Sequence, residues 1–300
     1  MGPQIAAQVE AAVPGTEVAA VPGDRPLGAD VNGDVLLAMP RSPALAGLPP
    51  TIPWVHVFGT GVDGVPDSVF EGRVVTCSRG AGAIPISEFV LAAMLAFEKD
   101  LPGVWTSEPP PHWGFAQLGG LHGRRLAVLG LGGIGAAVAR LGVAFGMQVR
   151  GLRRTPTPID LPGVEVVADP MKLVDGAHHV VVAAPATPRT FHLVDAELLA
   201  AMPAGVHLVN IARGTLVDQD ALRSALESGH VARASLDTCD PEPLPAGHWL
   251  YTDPRVRLSP HVSWSSPAMA ERIIELFLDN LRSRADGRAL AGVVDPVERY

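Results

Sequence analysis

The chain has 300 residues, 47% of them hydrophobic and 18% charged, enough for one large or two ordinary domains and too apolar for a disordered segment. A formal net charge of −8 argues against a nucleic-acid partner, because phosphate neutralisation needs a basic surface. No apolar run reaches bilayer length, no basic-then-apolar leader opens the chain, and the two cysteines cannot make a disulfide framework, so a cytoplasmic protein without membrane contact is expected.

Strands are predicted first at Val35–Ala38, Trp54–Phe58 and Val74–Thr76. Ile86–Phe97 reads as a helix without glycine, stopped by Asp100, Leu101, Pro102 and Gly103. From about residue 124 the pattern becomes regular. Strands at Leu126–Leu129, Met147–Leu152, Val164–Val167, His178–Ala184, Val206–Asn210, Ala232–Leu236 and Arg255–Leu258 alternate with helices at Ile134–Phe145, Asp195–Met202 and Asp218–Ser228. His178–Ala184 is nearly all apolar, as a parallel strand buried on both faces should be. A last helix covers Ala268–Arg284. The expected fold is α/β: a doubly wound parallel sheet (Rossmann) nucleotide domain over 98–265. A smaller flavodoxin-like α/β substrate domain would form from both chain ends, 1–97 and 266–300.

Between the first two regular elements stands Gly130-Leu-Gly132-Gly133-Ile134-Gly135. A GxGxxG is weak alone, but between a strand and a helix it has its functional context. Gly130 permits the tight turn, Gly132 lets backbone approach a pyrophosphate, and Gly135 permits close helix–strand packing. Phosphate oxygens would accept N–H bonds at the helix N-terminus, from the turn through Gly133 and Ile134.

An NAD site would carry an acidic residue about 20 positions further on, to accept from the ribose 2′-OH. The chain has Arg153, Arg154 and Thr155 there instead. Two guanidiniums and a hydroxyl suit a 2′-phosphate, so NADP(H) is preferred, with NAD(H) possible. Only Lys99 and Lys172 of the 23 basic residues are lysine, so arginine is common here and position carries the weight.

In open parallel sheets the ligand lies outside the carboxyl ends of the strands. Arg213 follows one strand end, Asp237 and Glu242 another, and His261 a third. An Arg polarises a carbonyl and pairs with a carboxylate, a His gives or takes the proton, and a Glu beside it orients the imidazole. No metal site is expected.

These blocks carry a family resemblance. Trp54–Asp63 (WVHVFGTGVD), Ile84–Leu95 (IPISEFVLAAML), Leu126–Gly135 (LAVLGLGGIG), Pro185–Thr190 (PATPRT), Val209–Asp218 (VNIARGTLVD), Leu236–Pro245 (LDTCDPEPLP) and Ser259–His261 (SPH) stand in the order found in D-isomer-specific 2-hydroxyacid dehydrogenases. The chain resembles that family along almost its whole length. The resemblance implies Arg213, Glu242 and His261 as the catalytic trio. It implies cofactor contacts from Pro185 and Thr190, with Asp237 and the Ile211 backbone holding the nicotinamide amide. It implies that a substrate carboxylate meets backbone N–H groups of Gly80, Ala81 and Gly82, after Arg79, and that the protein is a homodimer. Arg153–Thr155 is similar to the NADPH-preferring glyoxylate and hydroxypyruvate reductases. Cys77 and Ser263 depart from the usual Asn and the usual Gly or Ala, which puts substrate identity in question. The expected activity is hydride transfer between NADP(H) and a small 2-oxo acid or D-2-hydroxy acid. The alternatives are an NAD-dependent enzyme like D-3-phosphoglycerate dehydrogenase, and a nucleotide-sensing corepressor-type binding protein.

Overall fold

The computed structural model describes residues 2–154 and 159–300. The chain forms two compact units, Met1–Gly82 with Ser266–Tyr300, and Ala83–Ser265. In chain order the smaller unit begins with α1 (Gly2–Ala12), β1 (Leu36–Ala38), β2 (Trp54–Val57) and β3 (Val74–Cys77). The larger unit follows with α2 (Ala83–Glu98), β4 (Arg125–Leu129), α3 (Gly133–Ala144), β5 (Gln148–Leu152), β6 (Val164–Val167) and α4 (Pro170–Val174). It continues through β7 (His179–Val182), α5 (Ala196–Ala201), β8 (Val206–Asn210), α6 (Gln219–Glu227), β9 (Val231–Leu236) and β10 (Val256–Leu258). The chain then re-enters the smaller unit as α7 (Met269–Ala285).

The larger unit is a seven-stranded sheet in the order β10-β9-β8-β7-β4-β5-β6, parallel throughout. Its central strands are apolar on both faces because helices cover both. Along β4, Ala127 and Leu129 enter one core with Leu198, Leu199, Leu222 and Leu226 of α5 and α6. Leu126 and Val128 enter the opposite core with Val90 and Met94 of α2 and Ala136 and Ala139 of α3. Period-two alternation therefore builds two cores from one strand. α3 comes close to the sheet on its small face: a Cβ at Gly142 would stand 2.6 Å from a methyl of Leu126. The helices α4, α5 and α6 start where Asp169, Asp195 and Asp218 accept backbone N–H bonds of the first turn. α5 and α6 thus begin one residue after the sequence-based limits, because the Asp is the cap and not the first helical residue.

The smaller unit is a three-stranded parallel sheet in the order β1-β2-β3. Ile274, Phe277, Leu278 and Leu281 line one face of α7 and bury against Trp54 and Val9. The chain's last segment pairs antiparallel with β3, through an N–H of Cys77 on the Gly292 carbonyl and an N–H of Val294 on the Val75 carbonyl. His56 is fully buried between Thr76 and Ser78, its Nδ1 2.8 Å from one hydroxyl and its Nε2 3.0 Å from the other.

The first boundary differs from the expected 97/98. α2 packs its Val90, Leu91 and Met94 into the core of the larger unit and belongs there. Two helices, α1 and α4, went unpredicted. Trp105, Trp113 and Phe115 are exposed by 72%, 76% and 85%, so the segment 104–118 does not bury its aromatic rings within its own chain. No helix among the described residues is long and apolar enough to cross a membrane.

Candidate active site

The carboxyl rim of the seven-stranded sheet puts the singled-out residues in spatial order. His261 follows β10, Glu242 β9, Arg213 β8, Pro185 β7, the glycine turn β4 and Arg153 β5. Strands lie about 4.8 Å apart, so Arg213's strand and Arg153's strand are about 14 Å apart, three steps along the rim.

Glycine is required at the turn for reasons visible in the backbone. Gly130 has φ +105°, and a Cβ there would stand 2.8 Å from the backbone of Ala184 after β7. A side chain at Gly135 would overlap the Gly130 carbonyl. Gly132 is the N-cap of α3 without a side-chain cap bond, and nothing lies within 4 Å of where its Cβ would be. This open, uncapped helix start fits a phosphate group. Arg153 is half-buried and Arg154 exposed; Thr155 lies outside the described residues.

The loop after β7 braces itself. The Thr190 hydroxyl donates to the Pro185 carbonyl at 2.6 Å and accepts the Thr187 N–H at 2.8 Å. Ile211 is buried and gives its N–H to Val182, which leaves its carbonyl as the group to offer a ligand. Arg213 sits on a turn stabilised by Asn210, whose amide accepts from Ala212 N–H at 3.0 Å and donates to the Arg213 carbonyl at 2.9 Å. The next residue, Gly214, packs so closely on Cys239 that any Cβ would overlap its backbone.

Glu242 and His261 meet. Glu242 Oε2 is 2.9 Å from His261 Nδ1, and Oε1 accepts the Cys239 N–H at 3.2 Å. The pair is part-exposed, by 22% and 36% at the side chains. Burial, with Glu242 and Asp240 beside it, pushes the Cys239 thiol up to about 11, so it is no thiolate nucleophile at neutral pH. Asp237 is buried, and its carboxylate accepts the Ser259 hydroxyl and the N–H groups of Val262 and Ser263. These three donors leave acceptor capacity at the two oxygens, since an ionised carboxylate offers about four lone-pair sites. Sequence reasoning also missed Asn210, Ser259 and Trp264; the Asn210-Ile-Ala-Arg213 spacing, an Asx-type brace, was the one available signal.

In the smaller unit Gly80 has φ +90° and Ala81 is buried. The Ala81 N–H donates to the Ser78 carbonyl at 3.1 Å, so Ala81 is not among the amides a carboxylate can take. Burial raises the Cys77 thiol above its ordinary value, against the lowering influence of Arg79. Among the described residues no group of three His, Cys, Asp or Glu is placed to hold a metal ion.

The family model for the NAD binding domain of D-isomer specific 2-hydroxyacid dehydrogenases matches residues 91–263, more than half of the chain. The chain belongs to the D-isomer-specific 2-hydroxyacid dehydrogenases. Within the family it is 31% identical over 243 residues to a D-3-phosphoglycerate dehydrogenase of Methanocaldococcus jannaschii, covering 79% of this chain and 46% of that one. It is 34% identical over 178 residues to glyoxylate/hydroxypyruvate reductase A of Serratia proteamaculans, covering 58% of this chain and 56% of that one. The chain therefore spans about half the length of these two relatives. A 2-hydroxyacid dehydrogenase from Xanthobacter autotrophicus Py2, solved with NADPH and MES, superposes with a TM-score of 0.83 at 32% identity. That match covers 100% of this chain and 96% of the other.

Proposed function

We propose that the chain reduces a small 2-oxo acid to the D-2-hydroxy acid with NADPH. The observation that carries this is the Glu242–His261 pair, 2.9 Å apart and part-exposed, beside the Arg213 turn on the rim that also bears the glycine turn. When bound, the reduced nicotinamide supplies the hydride. The protein's part is proton and charge. Glu242 engages His261 Nδ1, leaving Nε2 to give its proton to the substrate oxygen. Arg213 pairs with the substrate carboxylate and polarises the carbonyl.

Preference for NADPH is supported by Arg153 and Arg154 at the end of β5, where a ribose 2′-phosphate would gain charge-assisted hydrogen bonds. The Xanthobacter relative solved with NADPH adds support. Two free thiols, Cys77 and Cys239, suit a reducing cytoplasm. The exposed Trp105, Trp113 and Phe115 supply apolar area for a homodimer.

The test is a panel of glyoxylate, hydroxypyruvate, pyruvate and 3-phosphohydroxypyruvate, each with NADPH and NADH, followed by near-UV absorbance. Turnover of glyoxylate or hydroxypyruvate with NADPH is expected. Selective turnover of the phosphorylated acid with NADH would move the function to phosphoglycerate oxidation. No turnover on any acid would favour a nucleotide-sensing binding protein. Light scattering on the eluting protein tests the dimer.

A further inference from the structure

In the smaller unit the turn bearing Gly80 and Gly82 is tied to a buried histidine. Trp54 and His56 of β2, Thr76 of β3 and Ser78 just after it stand at alternate positions, share one face, and are all fully buried. The indole N–H of Trp54 donates to the Thr76 hydroxyl at 2.8 Å, and that hydroxyl lies 2.8 Å from His56 Nδ1. His56 Nε2 lies 3.0 Å from the Ser78 hydroxyl. A neutral imidazole has one acceptor and one donor, so it joins the two hydroxyls in one line. Burial lowers His56 to about 4, which keeps it neutral near pH 7. Ser78 is in turn the foot of the turn. Its N–H donates to the Gly59 carbonyl at 2.8 Å, and its carbonyl accepts the Ala81 N–H at 3.1 Å and the Thr60 hydroxyl at 3.4 Å. Gly80, at φ +90°, takes the third place of this turn, where a positive φ calls for glycine. The Arg79 and Ala81 N–H groups are spent on the carbonyls of Cys77 and Ser78. Among the described residues those of Gly80 and Gly82 make no hydrogen bond and stay available to a ligand.

We propose that His56 is a positioning residue for the substrate carboxylate: through the Ser78 hydroxyl it fixes the turn that holds out the N–H groups of Gly80 and Gly82. This rests on the 2-oxo acid reduction proposed above and on the carboxylate seat that the resemblance implies at this turn. His56 itself is fully buried and acts through Ser78. The backbone bonds of Ser78 set where the turn begins, and the side-chain bond sets its rotation about the strand axis. The substrate carboxylate keeps its charge throughout a reduction at the neighbouring carbon, so contacts to it count equally in the ground and transition states. Loosening the turn should therefore raise KM for the acid and spare kcat. The glycine turn that would take NADPH belongs to the larger unit, so nucleotide affinity should not respond.

The experiment uses Ser78→Ala, His56→Leu and His56→Gln in the full chain. Ser78→Ala deletes only the last link, His56→Leu deletes the middle one, and glutamine keeps one acceptor and one donor. Ser78→Ala and His56→Leu should each raise KM for the best acid of the panel about five- to thirtyfold, with kcat and the NADPH Kd within about twofold. His56→Gln should return KM to within about threefold of the parent. In spectra of the NADPH-loaded, 15N-glycine-labelled protein, the carboxylate probe oxamate should shift the Gly80 and Gly82 signals. Ser78→Ala should move the midpoint of that titration up by about five- to thirtyfold. If His56→Leu does not fold, Ser78→Ala decides alone. Parental KM in a folded Ser78→Ala overturns the proposal and leaves the activity standing, as does a fall in kcat at unchanged KM. If the parent reduces no acid, the activity is what fails, and the oxamate titration decides. Equal midpoints in the parent and Ser78→Ala, or no response at either glycine, then overturn the proposal.

Discussion

Among the described residues of the larger unit, two carboxylate–imidazole pairs make hydrogen-bond contact, and they differ in almost everything but distance. Glu242 and His261 lie 2.9 Å apart on the carboxyl rim, with side chains exposed by 22% and 36%. Glu98 and His179 lie 3.0 Å apart where β7 begins, exposed by 5% and 0%. The second pair continues inward, from His179 to His207 at 3.2 Å and from His207 to Ser235 at 2.9 Å, with Phe97 stacked on His207. Burial pushes the Glu98 carboxyl up, but the His179 bond and charge, with Arg124, outweigh it and hold it below its ordinary value. Burial, then His179 and Arg233, hold His207 far below the usual imidazole range. The comparison separates geometry from access. The same contact suits proton transfer where water can reach it, and serves as a structural tie where water cannot.

The largest effect should come from breaking the exposed pair. His261→Ala is expected to lower turnover by about 10²–10⁴, the usual worth of a general acid, with the thermal midpoint nearly unchanged. Steady-state kinetics beside calorimetry checks both halves. His179→Leu should do the reverse. It strands a buried carboxylate, a change that costs about 3–5 kcal/mol, and Arg124 at 3.6 Å from Glu98 places it near the lower end. Urea unfolding reads that loss, while kcat per folded molecule should stay within about twofold.

A third imidazole sharpens the contrast. His56 in the smaller unit is buried against two hydroxyls, and burial lowers it to about 4. Below about pH 6.5 the unfolded chain takes up a proton that the folded unit refuses, so stability falls as pH drops from 6.5 toward 4. The loss approaches about 3 kcal/mol at the acid end, and His56→Gln should flatten that part of a plot of unfolding free energy against pH. The smallest effect concerns the far end of the rim. Arg153→Asp should reverse a preference for NADPH of about ten- to a hundredfold, or about 1.4–2.8 kcal/mol, by repelling the 2′-phosphate and accepting from a 2′-OH. Comparing kcat/KM for the two nucleotides measures it, and the preference in the parent should shrink as salt is raised.

The exposed pair was legible in the sequence and the buried one was not. His261 and Glu242 each follow a predicted strand, so strand ends alone located them. His179 and His207 lie inside strands, where alternation marks a face as buried but says nothing of what a polar group there will find. Glu98 sits 81 residues from His179, and a contact at that separation leaves no local trace. The central strands β4, β7 and β8 were readable because each sends side chains into a core on both faces. α1 was not, and α4 spans only five residues, too short for a period to show. α2 was readable as a helix, but its unit depends on which core receives Val90 and Met94, a tertiary fact.

Gly214 ties the rim together in a mechanical sense. Its missing side chain lets the Arg213 turn lie against the backbone of Cys239, whose N–H in turn holds Glu242. Arg213 and Glu242 are therefore mounted on a single part. A methyl at 214 acts as a wedge between two mountings, shifting both in one step, and no compensating change at either residue alone can restore the spacing.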